Sequence, residues 1–446
     1  MTVADSTESS TRSRLFLFSV APLRFRMGDT TMTKLMEAMF RCCAGLDVHS
    51  ETVAACVRRM DDLGRIHAEV RTFETMTHDL MALSEWLKAE GVTHVAMEST
   101  GVFWKPVYNI LEERFQILLV NARHIKNVPG RKTDVKDCEW IAQLLQYGLL
   151  KGSFIPPLAQ RELRDLTRMR TQLTREMVSV ANRIHKVLED TNIKLTVVAT
   201  DILGVSGRKM IQALIAGETD TAKMAGMARG RLRNKIPLLQ HALVGKVTEH
   251  HQFLLKMLME QLIYLESQID RFNRRIEEAA RPFEKAITTL IPMPGYERVS
   301  AQSVIAEIGP DMNPFPADTH LCSWAKLCPG NNESGGKRKS GATGHGNRWL
   351  RTILVQVAWA ASHKKGSYFQ AQYRRLAGRR GKKRAIVAVA HSILTVTYYM
   401  LKFERSYKDL GGDHFDRIAR DKVLRYHTKR LESLGYDVKL TEKKAA

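Results

Sequence analysis

The chain has 446 residues, of which 69 are Lys or Arg and 47 are Asp or Glu, giving a formal charge of +22. Hydrophobic residues make up 44% and charged residues 26%, a globular mixture that excludes wholesale disorder, a collagen-like repeat and a coiled-coil fibre. The length predicts two or three domains, and the surplus of positive charge indicates a polyanionic partner such as nucleic acid.

Residues 1–41 carry no regular hydrophobic pattern, and we interpret them as a disordered leader or as an upstream extension of the start used. No uninterrupted apolar run reaches the roughly 18 residues that a membrane span needs. The six cysteines form no Cys-x-x-Cys pair, which argues against a zinc ribbon or a disulfide scaffold and fits a reducing compartment. We therefore expect a cytoplasmic protein with no membrane partner.

Residues 42–158 alternate between short apolar runs and amphipathic stretches, which is typical of an α/β domain. The predicted elements are strands at 43–48, 51–58 and 65–73, a helix at 77–90, a strand at 94–97, a helix at 102–114, a strand at 116–120 and a helix from about 134. Three hairpin strands followed by β-α-β-α units predict a mixed five-stranded sheet with helices on its faces.

Residues 159–285 have a different pattern, in which apolar residues recur at three- and four-residue steps over 161–195 and again over about 250–281. This spacing predicts two long amphipathic helices, with shorter helices between them, as an arm or coiled-coil insertion. The narrow apolar stripes are compatible with a self-contained helical bundle and equally with pairing to another subunit.

Residues 286–405 are predicted to form an α-helical C-terminal domain. The turn Ile-Pro-Met-Pro-Gly at 291–295, followed by a small-residue helix at 300–308, resembles a helix-hairpin-helix element, whose turn amides can face a phosphate. A long Gly-, Ser- and Lys-rich loop is expected at 329–346, between a helix at 315–327 and helices at 347–362 and 384–401. The polar tail 406–446 is expected to be partly helical and shows no site.

Basic residues cluster in two parts of the C-terminal domain, one over 337–351 and one over 374–384, and neither cluster contains an acid. Blocks of this kind bind phosphate backbones by releasing condensed counterions. The candidate nucleic-acid-binding residues are Lys337, Arg338, Lys339, Arg348, Arg351, Arg379, Arg380, Lys382, Lys383 and Arg384.

Four acids of the first domain stand where packing does not explain them. Asp47 and Glu98 each follow an apolar strand run, and Asp134 and Asp137 are three residues apart at a predicted helix start. Taken singly, each has a simpler role as a strand-end turn, a surface ion pair or a first-turn helix acid. Together they favour a magnesium site, because carboxylate oxygens are the ligands that Mg²⁺ takes and burying them unpaired is costly.

The motifs Gly-Leu-Asp-Val-His around Asp47, Met-Glu-Ser-Thr-Gly around Glu98 and Lys-Thr-Asp-Val-Lys-Asp ending at Asp137 resemble those of the DEDD transposases of the IS110 family. Ile-Pro-Met-Pro-Gly and the segment 328–341 resemble that family's C-terminal domain. The resemblance covers roughly 42–402. It implies an α/β RNase H-like fold, similar to the RuvC resolvases, in the first domain.

The resemblance also implies the chemistry. Asp47, Glu98, Asp134 and Asp137 would bind catalytic magnesium, as two ions, and Ser334 would be the nucleophile that links covalently to DNA. Sequence chemistry alone does not separate Ser334 from a loop-capping hydroxyl such as Ser340. An insertion-sequence recombinase of this family implies donor and target DNA, an element-encoded guide RNA and a homo-oligomer, dimer or tetramer, with the two domains meeting within one subunit or across its interface.

Two rival functions remain open at this stage. A RuvC-like, structure-specific endonuclease would hydrolyse DNA with activated water and would not need Ser334. A non-catalytic nucleic-acid-binding protein on a decayed nuclease scaffold would not need Asp47.

Overall fold

The computed structural model describes residues 38–99, 101–121, 125, 136–330, 332–344 and 346–440. These residues form two compact units, which divide between Phe154 and Ile155. The first unit contains the sheet, and the second is mostly helical.

The first unit is built on a five-stranded mixed sheet. Its elements are β1 (Cys42–Val48), β2 (Thr52–Met60), β3 (Ile66–Glu74), α1 (Thr77–Ala89), β4 (His94–Glu98), α2 (Trp104–Leu111), β5 (Gln116–Val120) and α3 (Asp137–Gln146). The strand order is β3-β2-β1-β4-β5. The pairs β1–β2 and β2–β3 are antiparallel, and β1–β4 and β4–β5 are parallel. The predicted mixed sheet is therefore confirmed, and it fits an RNase H-like domain.

The burial of each strand follows its place in the sheet. Central β1 is almost wholly buried, whereas edge strand β3 is mostly exposed and alternates apolar with charged residues. Helix α3 differs from its prediction, because Lys136 is extended and the helix begins at Asp137, three residues later than expected. Asp134 lies outside the described residues.

The second unit contains fourteen described α-helices and one small hairpin. Its helices are α4 (Leu158–Asp190), α5 (Leu195–Val198), α6 (Val205–Ile215), α7 (Thr221–Ala225), α8 (Ile236–Ala242), α9 (Glu249–Ala280), α10 (Glu284–Leu290), α11 (Arg298–Ile308), α12 (Asp318–Trp324), α13 (Arg348–His363), α14 (Tyr368–Arg380), α15 (Lys382–Phe403), α16 (His414–Ile418) and α17 (Arg420–Glu432). Short 3-10 helices cover Gly230–Lys235 and Arg281–Phe283.

The two long helices predicted for the middle of the chain are α4 and α9, of 33 and 32 residues, and they pack along each other. The C-terminal part of α4 and the N-terminal part of α9 share one hydrophobic core with the short helices α5 to α8. Ile184 of α4, Met210 of α6 and Leu255 of α9 are buried in this core. The described residues thus form a bundle around the two long helices, and coiled-coil pairing with another subunit stays a prediction.

The C-terminal part packs around α15, whose inner face buries Val389, Ile393 and Leu394. Helices α13 and α14 pack against it. By length and composition α15 alone among the described helices could cross a membrane, but its buried face is that of a core helix. In the turn before α11, a Cβ on Gly295 would lie 2.2 Å from the Val357 carbonyl oxygen, so this turn packs tightly on α13. Its helix-hairpin-helix character remains a prediction.

The segment predicted as an unstructured loop contains a β-hairpin. Strand β6 (Asn332–Ser334) pairs with β7 (Lys337–Ser340), and Gly335 and Gly336 connect them. Both glycines have positive φ, 58° and 74°, as the two central residues of a type I′ turn require. The Gly-Gly pair was therefore a turn signal inside a composition that otherwise indicates a loop.

Candidate active site and nucleic-acid interface

Asp47 is the next-to-last residue of β1, at the centre of the sheet. Its neighbours Leu46 and Val48 are fully buried, whereas the Asp47 side chain keeps 18% of its surface exposed. His49 Nε2 lies 3.1 Å from Asp47 Oδ2. The end of the strand thus places one partly exposed carboxylate at the edge of the core.

Glu98 is the last residue of the neighbouring parallel strand β4. The register pairs Leu46 with Met97. The next residue of each strand, Asp47 in β1 and Glu98 in β4, therefore lies at the same end of the sheet. Side chains in register on adjacent parallel strands point to the same face. The two acids therefore leave the same face of the sheet from adjacent strands.

Helix α3 lies on that face and brings Asp137 to the same region. Gly45, two residues before Asp47, lets the helix approach, because a Cβ there would lie 2.3 Å from Ala142 N and 2.4 Å from the Cys138 carbonyl oxygen. Burial raises the pKa of the Cys138 thiol to about 11, and the nearby Asp47 carboxylate adds to the rise. Asp47 is thus close to the first turn of α3, whose first residue is the exposed Asp137.

The structure brings three of the four predicted acids to one end of the sheet and does not describe Asp134. No group of three His, Cys, Asp or Glu side chains that could hold a metal ion occurs among the described residues. The donor set itself suits a hard divalent cation, since it consists of carboxylate oxygens. Metal binding by the four acids remains a hypothesis.

Ser334 is the last residue of β6, directly before the turn of the β6–β7 hairpin. It pairs with Lys337 across the Gly335-Gly336 turn, and Ser340 lies at the far end of β7 opposite Asn332. The two residues that flank a two-residue turn form the last strand pair, at the end of the hairpin farthest from its base. The backbone position therefore separates Ser334 from Ser340, which the sequence alone did not.

The predicted basic residues of this unit fall in two places. Lys337, Arg338 and Lys339 lie on β7, and the Lys337 side chain is exposed. Arg348 and Arg351 are in the first turn of α13, where Arg348, Arg168 and Arg175 lie 5.0, 5.8 and 5.1 Å from the Trp349 ring centroid. Three guanidinium groups therefore lie close to the Trp349 ring at the start of α13.

The second cluster surrounds the corner between α14 and α15. Gly381, with φ 79°, makes this corner. Arg379, Arg380, Lys382, Lys383 and Arg384 are all exposed, and none forms an ion pair with any residue that the structure describes. Unpaired cations on a sharp corner concentrate positive potential, which attracts a phosphate backbone.

A buried polar junction that the sequence did not reveal holds the start of α13. Glu307 of α11 has 3% of its side chain exposed and accepts two hydrogen bonds from Arg168 of α4, at 2.7 and 2.8 Å. It also accepts a hydrogen bond from Asn347, the N-cap residue of α13, whose Oδ1 accepts from Trp349 N and Leu350 N. The helix that follows the hairpin is therefore tied to the long helix α4. Asn347 before an amphipathic run was the one sequence signal for this cap.

Comparison with known families gives two matches. A DEDD transposase model of the IS110 type matches residues 44–193, which contain all four acids. A model described as a transposase of the IS116/IS110/IS902 family matches residues 288–374, which contain the hairpin. Together the two models cover more than half of the chain.

Two relatives extend these matches. The chain is 23% identical over 301 residues to the transposase for insertion sequence element IS1111A of Coxiella burnetii (strain RSA 493 / Nine Mile phase I), across 65% of this chain and 72% of the relative. It is 22% identical over 382 residues to the pilin gene-inverting protein of Moraxella bovis, across 83% of this chain and 98% of that protein.

Proposed function

The chain belongs to the IS110 family of transposases, and we propose that it cleaves and exchanges DNA strands by a magnesium-dependent reaction through a covalent phosphoserine intermediate at Ser334. Membership in this family implies a DNA-cleaving and recombining enzyme. The name of the Moraxella relative, a pilin gene-inverting protein, supports rearrangement of DNA as the outcome.

The observation that carries the proposal is the convergence of Asp47, Glu98 and the first turn of α3 at one end of the sheet. Asp47, Glu98, Asp134 and Asp137 would hold two magnesium ions, which when bound stabilise charge on the attacking and leaving oxygens of a phosphoryl transfer. These acids come from two strands and a helix, and their carboxylate oxygens are the ligands that Mg²⁺ prefers.

In the proposed first step, Ser334 Oγ attacks the scissile phosphorus. A P–Oγ bond forms, the bond from phosphorus to one sugar oxygen breaks, the serine proton passes to water, and the leaving sugar oxygen takes up a proton. One phosphoester replaces another, so the later attack of a sugar hydroxyl on the phosphoserine can rejoin the strands without ATP. The exposed Lys337 beside the hairpin tip supplies charge that would hold the phosphate.

The partners follow from the same proposal. Donor and target DNA are the substrates of a transposase, and an element-encoded guide RNA would read their sequence by base pairing. A homo-oligomer, dimer or tetramer, would let the two catalytic parts meet across subunits as well as within one. The reaction would take place in the cytoplasm.

The test incubates purified protein with the element's RNA, matching donor and target DNA and Mg²⁺, and resolves products on a denaturing gel before and after protease treatment. We expect a protease-sensitive DNA adduct with wild type and none with Ser334→Ala. Ser340→Ala, on the facing strand of the same hairpin, is the matched control and should keep the adduct.

The acids are tested in the same assay. Asp47→Asn should abolish both cleavage and adduct, whereas Glu69→Gln, on the exposed edge strand of the same sheet, should preserve both. Undiminished cleavage by Ser334→Ala would contradict the phosphoserine intermediate and favour an endonuclease that cleaves DNA with water. Recombination by Asp47→Asn at the wild-type rate would show that the acids take no part in the reaction.

A further inference from the structure

A cavity of about 640 Å³ lies between α14 and the C-terminal helices α16 and α17, mostly beyond the matched region that ends at residue 374. The sequence pattern predicted no site in this tail. The volume is within the range of about 300–1,000 Å³ that small-molecule and cofactor sites occupy. The tail thus packs against α14, and residues of both line one concave surface.

The wall formed by α14 is strongly positive. Arg374, Arg375 and Arg379 line the cavity, and none of them forms an ion pair with a described residue. Arg375 and Arg379 are four residues apart and therefore share one face of the helix. Asp416 is the one carboxylate among the described lining residues, so the cavity carries a net positive charge.

The opposite wall is aromatic. Phe415 of α16 and Tyr426 and His427 of α17 line the cavity, and Tyr426 is 67% exposed. The Arg375 guanidinium carbon lies 5.3 Å from the Phe415 ring centroid. An exposed aromatic residue in a cavity that is also lined by guanidinium groups is a combination by which proteins stack a base and hold its phosphate.

Several contacts fix α16 and the segment before it against the start of α14. Tyr368 N donates to Asp409 Oδ1 at 2.9 Å, and the Tyr368 ring stacks on Phe415 with centroids 5.1 Å apart. A Cβ on Gly412 would lie 3.2 Å from the backbone of Gly366, so the connecting segment packs closely against the start of α14. The aromatic wall near α16 is therefore part of the folded unit.

We propose that this cavity binds a nucleotide of single-stranded nucleic acid, with the base stacked on Tyr426 and the phosphate held by Arg375 and Arg379. A base inside a duplex is already stacked and paired and is not free to stack on a side chain in the cavity, whereas an unpaired base is. The site is independent of the strand-exchange chemistry, since it involves neither the four acids nor Ser334.

The test measures binding of fluorescein-labelled twelve-nucleotide oligouridine, oligothymidine and a duplex of equal length to the full chain by fluorescence anisotropy. Tyr426→Ala should weaken binding of the single strands by about fivefold or more, since base stacking on one aromatic contributes that much. The matched control is Tyr436→Ala, because Tyr436 belongs to the same tail, is 65% exposed and does not line the cavity. Its affinity should stay within about twofold of wild type.

The charge contribution is tested by Arg375→Gln with Arg379→Gln, compared with Arg430→Gln on α17 outside the cavity. The double variant should reduce the salt dependence of single-strand binding by about 0.7 in log–log slope for each phosphate that the cavity no longer neutralises. Tighter binding of oligouridine or of oligothymidine identifies RNA or DNA as the ligand, and either supports the site.

Three outcomes would overturn the proposal. One is equal loss of affinity in Tyr426→Ala and Tyr436→Ala. Another is a loss of duplex affinity in Tyr426→Ala as large as the loss for single strands. The third is displacement of the oligonucleotide by polyglutamate at equal charge concentration as effectively as by unlabelled oligonucleotide, because charge alone would then explain the binding.

Discussion

Gly45 determines how closely α3 approaches the sheet. Gly45→Ala would push Cβ into the backbone of Cys138 and Ala142, which has no flexible end to move aside. We expect the free energy of unfolding to fall by about 1–3 kcal/mol, because overpacking a core usually costs that much. We also expect DNA cleavage to fall, because Asp137 shifts away from Asp47. Guanidinium unfolding of the purified protein and the cleavage assay measure the two effects.

Gly378→Ala is the control for this substitution. Gly378 lies within helix α14, and a Cβ added there would project into open space. Alanine there should raise the free energy of unfolding by up to about 1 kcal/mol, because glycine is the poorer helix former. Equal destabilisation by the two substitutions would contradict the tight α3 packing.

Four thiols are buried, and burial raises the pKa of Cys43 and Cys56 to about 12 and of Cys138 and Cys322 to about 11. A thiol whose folded pKa is raised contributes its full stability below its unfolded pKa, near 9.0, and loses it as pH rises toward the folded value. We therefore expect the free energy of unfolding to fall above about pH 9.

The same burial predicts which thiols react. At pH 8, iodoacetamide should modify the partly exposed Cys42 and Cys328 in the folded protein, and all six cysteines in guanidinium, as measured by mass spectrometry. Alkylation of Cys43 as fast as that of Cys328 would show that the sheet and α3 do not pack as described.

At the scale of elements, the junction at Glu307 joins α4, α11 and the start of α13. Arg164 donates from Nη2 to the Glu307 carbonyl oxygen at 2.7 Å, and burial lowers the pKa of Arg164. Removing one partner of a buried ion pair leaves the remaining charge without compensation, which typically costs more than the pair contributes. The junction therefore makes the orientation of α13 depend on a single carboxylate.

Glu307→Gln should lower the free energy of unfolding by about 3 kcal/mol, because Arg168 and Arg164 lose their partner in a buried setting. The comparison is Glu278→Gln, which removes an exposed pair with Arg275 and should cost less than about 1 kcal/mol. Denaturant unfolding of the two variants measures the difference. Similar small losses in both would mean that the junction is hydrated.

The sequence predicted the sheet well because the short apolar runs, the alternation over 65–73 and the turn at Asp61–Gly64 are local signals. It placed the start of α3 three residues early, because the two aspartates resembled a first helical turn. Glu307 could not be predicted, since it stands within an apolar helix and its partner Arg168 is more than a hundred residues distant. The cavity was missed for the same reason: its walls meet only in the folded chain.

At the scale of the whole molecule, the charge of +22 combines paired and unpaired cations, which have different consequences. Arg59, Arg71, Arg114, Lys194 and Lys223 each lie within 4 Å of a carboxylate. The five cations of the α14–α15 corner pair with no described residue. Only the second group is free to replace the counterions of a phosphate backbone.

Two variants, each with five Lys or Arg residues replaced by Gln, distinguish the effect of the corner from the effect of net charge, since both lower the net charge by the same amount. Replacing Arg379, Arg380, Lys382, Lys383 and Arg384 should reduce the slope of log affinity for duplex DNA against log salt by about 0.9 for each phosphate that the corner no longer neutralises. Replacing the five paired cations should leave the slope nearly unchanged, because their charge is already neutralised by neighbouring acids. Anisotropy titrations over a range of salt concentrations measure both slopes. Equal reductions would show that net charge, rather than the corner, determines DNA affinity.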